Sequence, residues 1–129
     1  MIGSTTQERF KNAVKAIRKD GILWRTNVRQ CCRGCITPKQ LGMSSHEDPN
    51  PYAYTYGSQG SAIKWNRDGT PTVDVGRYQS VPAKIEMFVN WGNGSAEKVL
   101  AAFRAEGFTA DWTGSEHHCV IVVLSDSTI

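Results

Sequence analysis

Apolar positions recur with a clear period over most of the chain. Thr5-x-x-Glu8 is a capping box, a threonine and a glutamate spaced to satisfy the orphan backbone donors of a helix start. Phe10, Ala13, Val14 and Ile17 follow at three- and four-residue steps and form one apolar stripe. Gly21 comes just after a basic turn, where a helix commonly ends on a residue of positive φ. The spacing predicts a helix over 6–19. Ile22 to Gln30 reads as extended and runs into Cys31-Cys32-Arg33-Gly34-Cys35. Thr37 to Pro51 is polar, contains three prolines and shows no period, which predicts a loop. Tyr52, Tyr54 and Tyr56 alternate, placing three phenol rings on one face of a strand. Ala62 to Trp65 and Thr72 to Val75 flank Asn66-Arg67-Asp68-Gly69, a turn signal, and predict a hairpin.

The C-terminal third has the clearest pattern. Ile85, Met87, Val89 and Trp91 alternate with Lys84, Glu86, Phe88 and Asn90, as in a half-buried strand. Asn93-Gly94-Ser95 turns the chain, with Ser95 placed as N-cap, and Val99, Leu100 and Phe103 give the buried stripe of a second helix ended by Gly107. Phe108, Ala110 and Trp112 alternate again. After a turn at Gly114-Ser115, Cys119 to Leu124 is apolar on both faces, which predicts a central, covered strand. The whole predicts a single α+β domain over 1–129: a mainly antiparallel sheet, two helices packed on one face, and a C-terminal β-α-β-β unit.

Composition narrows the class. With 129 residues the chain is long enough for one core and too short for two. Its 40% hydrophobic and 21% charged residues argue against wholesale disorder. The opening MIGSTTQERF has no apolar leader segment, and the longest apolar run, six residues from Cys119, is far short of the about 20 a membrane span needs. A cytoplasmic protein that does not insert into membranes is the expectation. The net charge of +3 conceals an asymmetry, because residues 1–40 carry nine basic side chains against two acidic ones, a balance of +7, and the remainder is −4. One end of the chain is thus suited to an anionic partner.

Cys32-x-x-Cys35 has the spacing of half a tetrahedral zinc site. No second C-x-x-C exists, so further ligands would come from Cys119, His117, His118, His46 or Cys31. Residues two apart on a strand share a face, so His117 and Cys119 can converge whereas His118 cannot. One reading is a structural zinc on Cys32, Cys35, His117 and Cys119. The other is a chain without cofactor, in which Cys31 and Cys119 are small buried hydrophobes and the knuckle only turns the backbone. Thioredoxin-like redox chemistry wants the pair at the start of a helix, and no helical stripe follows Pro38.

A cysteine nucleophile with a base from His117 or His118 is chemically conceivable, but no nucleophile elbow, phosphate loop or paired carboxylate supports it. His117-His118 sits in a predicted turn beside Glu116, as a solvated pair would. Arg25, Arg29 and Arg33 recur every four residues near Trp24, a combination of stacking and phosphate contacts that suits nucleic acid. Against that, Lys11, Lys15, Arg18 and Lys19 also fit the solvated face of an amphipathic helix, and the pI of about 8.7 is modest for a dedicated binder.

Gly21-Ile22, Arg25 and Asn27, followed by Cys31-Cys32-x-x-Cys35, resemble a family of uncharacterised bacterial and phage proteins in which a GI-x-x-R strand runs into a CC-x-x-C element. Tyr54, Tyr56, Gly107-Phe108, Trp112-x-Gly114 and the closing strand Val120 to Val123 extend the resemblance over most of the chain. The chain departs from the family at Gly57-Ser58-Gln59-Gly60, where a histidine and a Gln-Asp pair are usual and only Gln59 is kept. The resemblance implies a fold and, by analogy with small phage proteins that bind host factors, a non-enzymatic protein-interaction module acting on a host or cellular protein in the bacterial cytoplasm. Its expected contact surfaces are Lys11, Lys15, Arg18 and Lys19 on the first helix, with Trp24, Tyr52, Tyr54 and Tyr56 as aromatic anchors. Nucleic-acid binding by the basic first third and a cysteine- or metal-dependent enzyme are the alternatives.

Overall fold

Thr5 opens the first helix with the threonine half of the expected capping box. Its hydroxyl accepts a hydrogen bond from the Glu8 amide (3.1 Å), and helix α1 runs Thr6–Lys19 with Phe10, Ala13, Val14 and Ile17 buried. The computed structural model describes residues 5–28, 36–45, 47–57, 62–73, 75 and 80–126. Among them, seven strands and two helices form an α+β fold. Strands β1 (Leu23–Val28), β2 (Tyr52–Tyr56), β5 (Lys84–Gly92), β6 (Thr109–Asp111) and β7 (Val120–Asp126) make one sheet in the order β1-β2-β5-β7-β6. β3 (Ile63–Trp65) and β4 (Pro71–Val73) form the expected hairpin as a separate two-stranded sheet. Helix α2, Ala96–Ala105, joins β5 to β6, completing the expected β-α-β-β unit.

The inner face of the main sheet carries the core. Trp24, Ala53, Ile85, Met87, Val89, Ala110, Val120, Val122 and Leu124 meet the stripes of α1 and α2 in one cluster, so both helices cover that face. Phe103 of α2 stands at its centre, with Phe10, Trp24 and Phe108 each at about 6 Å between ring centroids. Burial of these large apolar side chains is the main stabilising term of the fold.

The sheet is mainly antiparallel, as expected, with one parallel pair, β1 and β2; two expectations, for β7 and for Ser95, need correction. Parallel neighbours need a crossover of a dozen or more residues, and the expected loop over Thr37 to Pro51 belongs to the one that joins β1 to β2. Within it, Pro38–Leu41 forms a 3-10 turn held by a full capping box between Thr37 and Gln40, and Leu41 and Met43 are buried. β7 is covered on one face only, since Ile121 and Val123 on its other side are half-exposed. Ser95 occupies the N-cap position of α2 but makes no capping bond. Its hydroxyl, 1% exposed, donates to the Tyr52 carbonyl (2.7 Å) and ties α2 to β2.

A bulge in β1 sets the outer face. Arg25 pairs with Tyr54 and Val28 with Tyr56, so β1 spends three residues where β2 spends two. Asn27, at φ 57, takes up the extra residue. The change of parity turns Val28 outward, where it packs with Leu41 and Met43 beside Tyr52 and Tyr54.

Candidate binding groove on the outer sheet face

Alternation along β2 puts Ala53 and Thr55 inward and leaves the three tyrosines outward and half-buried, as expected from their spacing. Tyr52 and Tyr54 lie nearly parallel, 6.4 Å between centroids and 17° between planes. Gly92 faces Tyr52 across the sheet, and a Cβ built there would run into the phenol ring, so the absence of a side chain lets the ring lie flat on β5. The crossover supplies the opposite wall. Ile36, Pro38, Leu41 and Met43, with Tyr52, Tyr54 and Asn93, line an open pocket of about 170 Å³. That is on the scale of the roughly 150 Å³ cavity that accepts a benzene ring.

Polar contacts hold the groove's far end. The Asn93 amide donates to the carbonyls of Asp48 (3.0 Å) and Asn50 (2.8 Å), joining the β5–α2 turn to the end of the crossover. The Asp48 carboxylate accepts from the Ser44 amide (3.0 Å), the Asn50 amide (2.9 Å) and the Ser44 hydroxyl (3.1 Å), which holds its pKa below the usual 3.8. A depressed carboxylate stabilises the folded state above its ordinary pKa and ceases to do so as pH falls through the lower folded value. The Ser44 and Asn50 amides should therefore keep their slow hydrogen exchange at pH values just below the ordinary carboxylate range and lose it on further acidification. Asp48→Asn should show no such acid-dependent step.

Phe88 lies two residues along β5 from Asn90, the cross-strand partner of Tyr54, and faces Ile121 of β7. It is 52% exposed. A large aromatic left open beside half-exposed Ile121 and Val123 extends the apolar surface beyond the pocket. The alternation of β5 places Phe88 among the polar positions, so its significance was missed; the signal for it was an aromatic residue in a solvent-facing register.

The remaining expected site residues divide. Lys11, Lys15, Arg18 and Lys19 are all exposed, on the face of α1 away from the core. Trp24 is not a contact residue, because its ring is 1% exposed at the centre of the core. Its parity is opposite to that of Leu23 and Arg25, and the inner face is the one the helices cover. Cys32 and Cys35, with Cys31 and His46, fall outside the described residues.

The pairing of His117 with Cys119 is corrected. His117 precedes β7 in a turn, with its side chain 83% exposed and 3.6 Å from the Glu116 carboxylate, so strand parity does not apply to it. Cys119 is half-buried, and its thiol donates to the Asn90 side chain (3.4 Å). Among the described residues, no three His, Cys, Asp or Glu side chains converge as a metal site would require. His118 is pinned within the turn, its Nδ1 hydrogen-bonded to the Thr113 hydroxyl (2.6 Å) and its carbonyl accepting from the Trp91 indole (2.9 Å).

The fold and groove define a small α+β domain with an aromatic surface on the side of its sheet opposite the two helices. No helix of the described residues is long and apolar enough to cross a membrane. Comparison of the chain with protein-family models, with curated proteins and with solved structures gave no match.

Proposed function

We propose that this protein is a non-enzymatic protein-interaction module that grips an apolar segment of a cellular partner with the outer face of its sheet. The observation that carries the reading is the juxtaposition of the Tyr52–Tyr54 platform and its pocket with the half-exposed ring of Phe88. Rigid aromatic anchors beside a concavity are the makings of an interface hot spot, since they bury much area at low conformational cost. By analogy with small phage proteins that modulate a host factor, the partner we propose is a protein of the bacterial cytoplasm. Burial of Trp24 removes the stacking platform on which the nucleic-acid alternative relied.

Affinity capture with the purified chain as bait provides the test, with Phe88→Ala as the contrasting bait. An exposed side chain contributes little to stability, within about 0.5 kcal/mol, so the variant should keep its melting temperature. It should bind a captured protein about ten-fold or more weakly, the effect expected of an interface anchor. Equal affinity of the two baits for every captured protein would reject the groove as the contact surface.

A further inference from the structure

We propose that the basic face of α1, joined to Arg25 on β1, is a second docking surface that receives an acidic segment of the protein partner; this rests on the interaction-module reading above. Lys11, Lys15, Arg18 and Lys19 fall within an arc of about 100° at 100° per residue, turned away from the buried stripe of Phe10, Ala13, Val14 and Ile17. Arg25 brings a fifth cation from another element. Its Nη1 donates to the Trp24 carbonyl (3.1 Å), and Nη2 of Arg18 donates to the same oxygen (3.3 Å). One carbonyl on the edge of β1 thus gathers two guanidinium groups from a helix and a strand. Arg25 is steadied from the other side, where its guanidinium lies over Gly42, a left-handed residue (φ 83) whose Cβ would stand 3.2 Å from Nη2.

None of these five cations is in an ion pair among the described residues, where the ion pairs fall on Lys84, Arg104 and His117. Two guanidiniums held side by side repel each other, and an incoming carboxylate relieves that repulsion while accepting paired N–H donors. Lys11, Lys15 and Lys19 repeat every four residues, a spacing of about 6 Å that matches glutamates repeated every fourth position on a partner helix.

The geometry favours an acidic polypeptide over a nucleic acid. The stripe is short, about 12 Å from Lys11 to Lys19 at 1.5 Å per residue. Glu8 and Asp20 stand in the chain just before and just after it, and they would oppose a phosphate backbone continuing past either end. Along α1 no exposed ring accompanies the cations among the described residues, since Phe10 and Trp24 are in the core, and the ring nearest in register to Arg25, Tyr54, belongs to the outer face. The α1 cations lie on the helix side of the sheet, across from the aromatic groove, whereas Arg25 leaves the outer face at the edge of β1, so the Lys11 and Lys15 variants test the basic surface apart from the groove.

The experiment is a fluorescence-anisotropy titration of the full chain with a labelled helical peptide carrying glutamate at every fourth position. A labelled oligothymidine of equal charge is the second probe, and both are run at about 0.05 and 0.2 M salt. Saturable binding of the peptide, weakened by salt, is expected, with the oligothymidine bound less tightly. Arg18→Gln with Arg25→Gln should raise the peptide Kd about ten-fold, and Lys11→Gln with Lys15→Gln should weaken it independently of any effect at the strand edge. No peptide binding at the lower salt, an unaltered Kd in both charge variants, or tighter binding of the oligothymidine would overturn the proposal. If peptide binding fails while capture still depends on Phe88, only this surface is lost. If peptide binding holds while Phe88→Ala captures its partner as well as the parent, the groove reading fails and the basic surface stands.

Discussion

Asn27→Ala should cost about 2–4 kcal/mol of stability, out of all proportion to the position's place near the end of an edge strand. Two functions converge on this residue, one of its backbone and one of its side chain. Its φ of 57 absorbs the bulge that turns Val28 to the outer face. Asparagine tolerates the left-handed region, whereas alanine is strained there by about 1 kcal/mol or more. The amide also acts as a strand partner, its Nδ2 donating to the Ile63 carbonyl (2.8 Å) and its Oδ1 accepting from the Ile63 amide (3.0 Å). That bond pair attaches the β3–β4 hairpin to the main sheet, and truncation leaves both Ile63 groups without these partners at about 1–3 kcal/mol for an unmet buried group. Gly57 completes the arrangement, because a Cβ there would stand 2.6 Å from the Asn27 Cα. Urea denaturation followed by circular dichroism measures the loss, and hydrogen exchange at Ile63 locates it. Asn27→Gly separates the contributions, since it keeps the backbone freedom and loses the bonds, and should fall between parent and alanine variant. A stability change within about 0.5 kcal/mol for Asn27→Ala would show that the amide bridge does not hold the hairpin.

Much of the fold was legible because its elements are defined by local chemistry. Thr5-x-x-Glu8 with its stripe yields α1 residue for residue, and the alternation of Ile85 to Trp91 yields β5. The hairpin around Asn66 to Gly69 follows from its turn, which Asn66 closes onto Thr70: its backbone N–H donates to the Thr70 carbonyl (2.9 Å) and its side-chain amide to the Thr70 hydroxyl (2.9 Å). Thr37-x-x-Gln40 has the same form as Thr5-x-x-Glu8, yet no apolar stripe follows it, so the short 3-10 turn had nothing else to announce it. Strand order and direction depend on contacts far apart in sequence, and nothing near Leu23 or Tyr52 specifies that β1 and β2 run parallel. The candidate site divides in the same way. Tyr52 and Tyr54 share a face by parity alone, whereas the wall of Leu41 and Met43 depends on where the crossover lands, and that in turn depends on the bulge at Asn27.

Trp24→Ala should be the most damaging single change in the sheet, lowering stability by about 3–5 kcal/mol, the range for deleting a large buried aromatic. A domain of this size is stable by only about 5–15 kcal/mol, so the variant should melt far below the parent or fail to fold. The expectation follows from position. The indole packs against Phe10 (6.2 Å, 68°) and Phe103 (5.9 Å), linking β1 to both helices, and its N–H is satisfied by the Thr26 hydroxyl at 2.7 Å. Trp24→Phe keeps a ring in the cluster and drops that hydrogen bond to a partly exposed partner, so it should cost about 1–2 kcal/mol. Thermal melts of the two variants, read alongside partner capture, decide between a structural tryptophan and a contact tryptophan. If the ring belongs to the core, capture by Trp24→Phe equals that of the parent. A Trp24→Ala protein that melts with the parent and has lost its partner would return the indole to the binding surface, and the inner face of the sheet would then have to open for binding to occur.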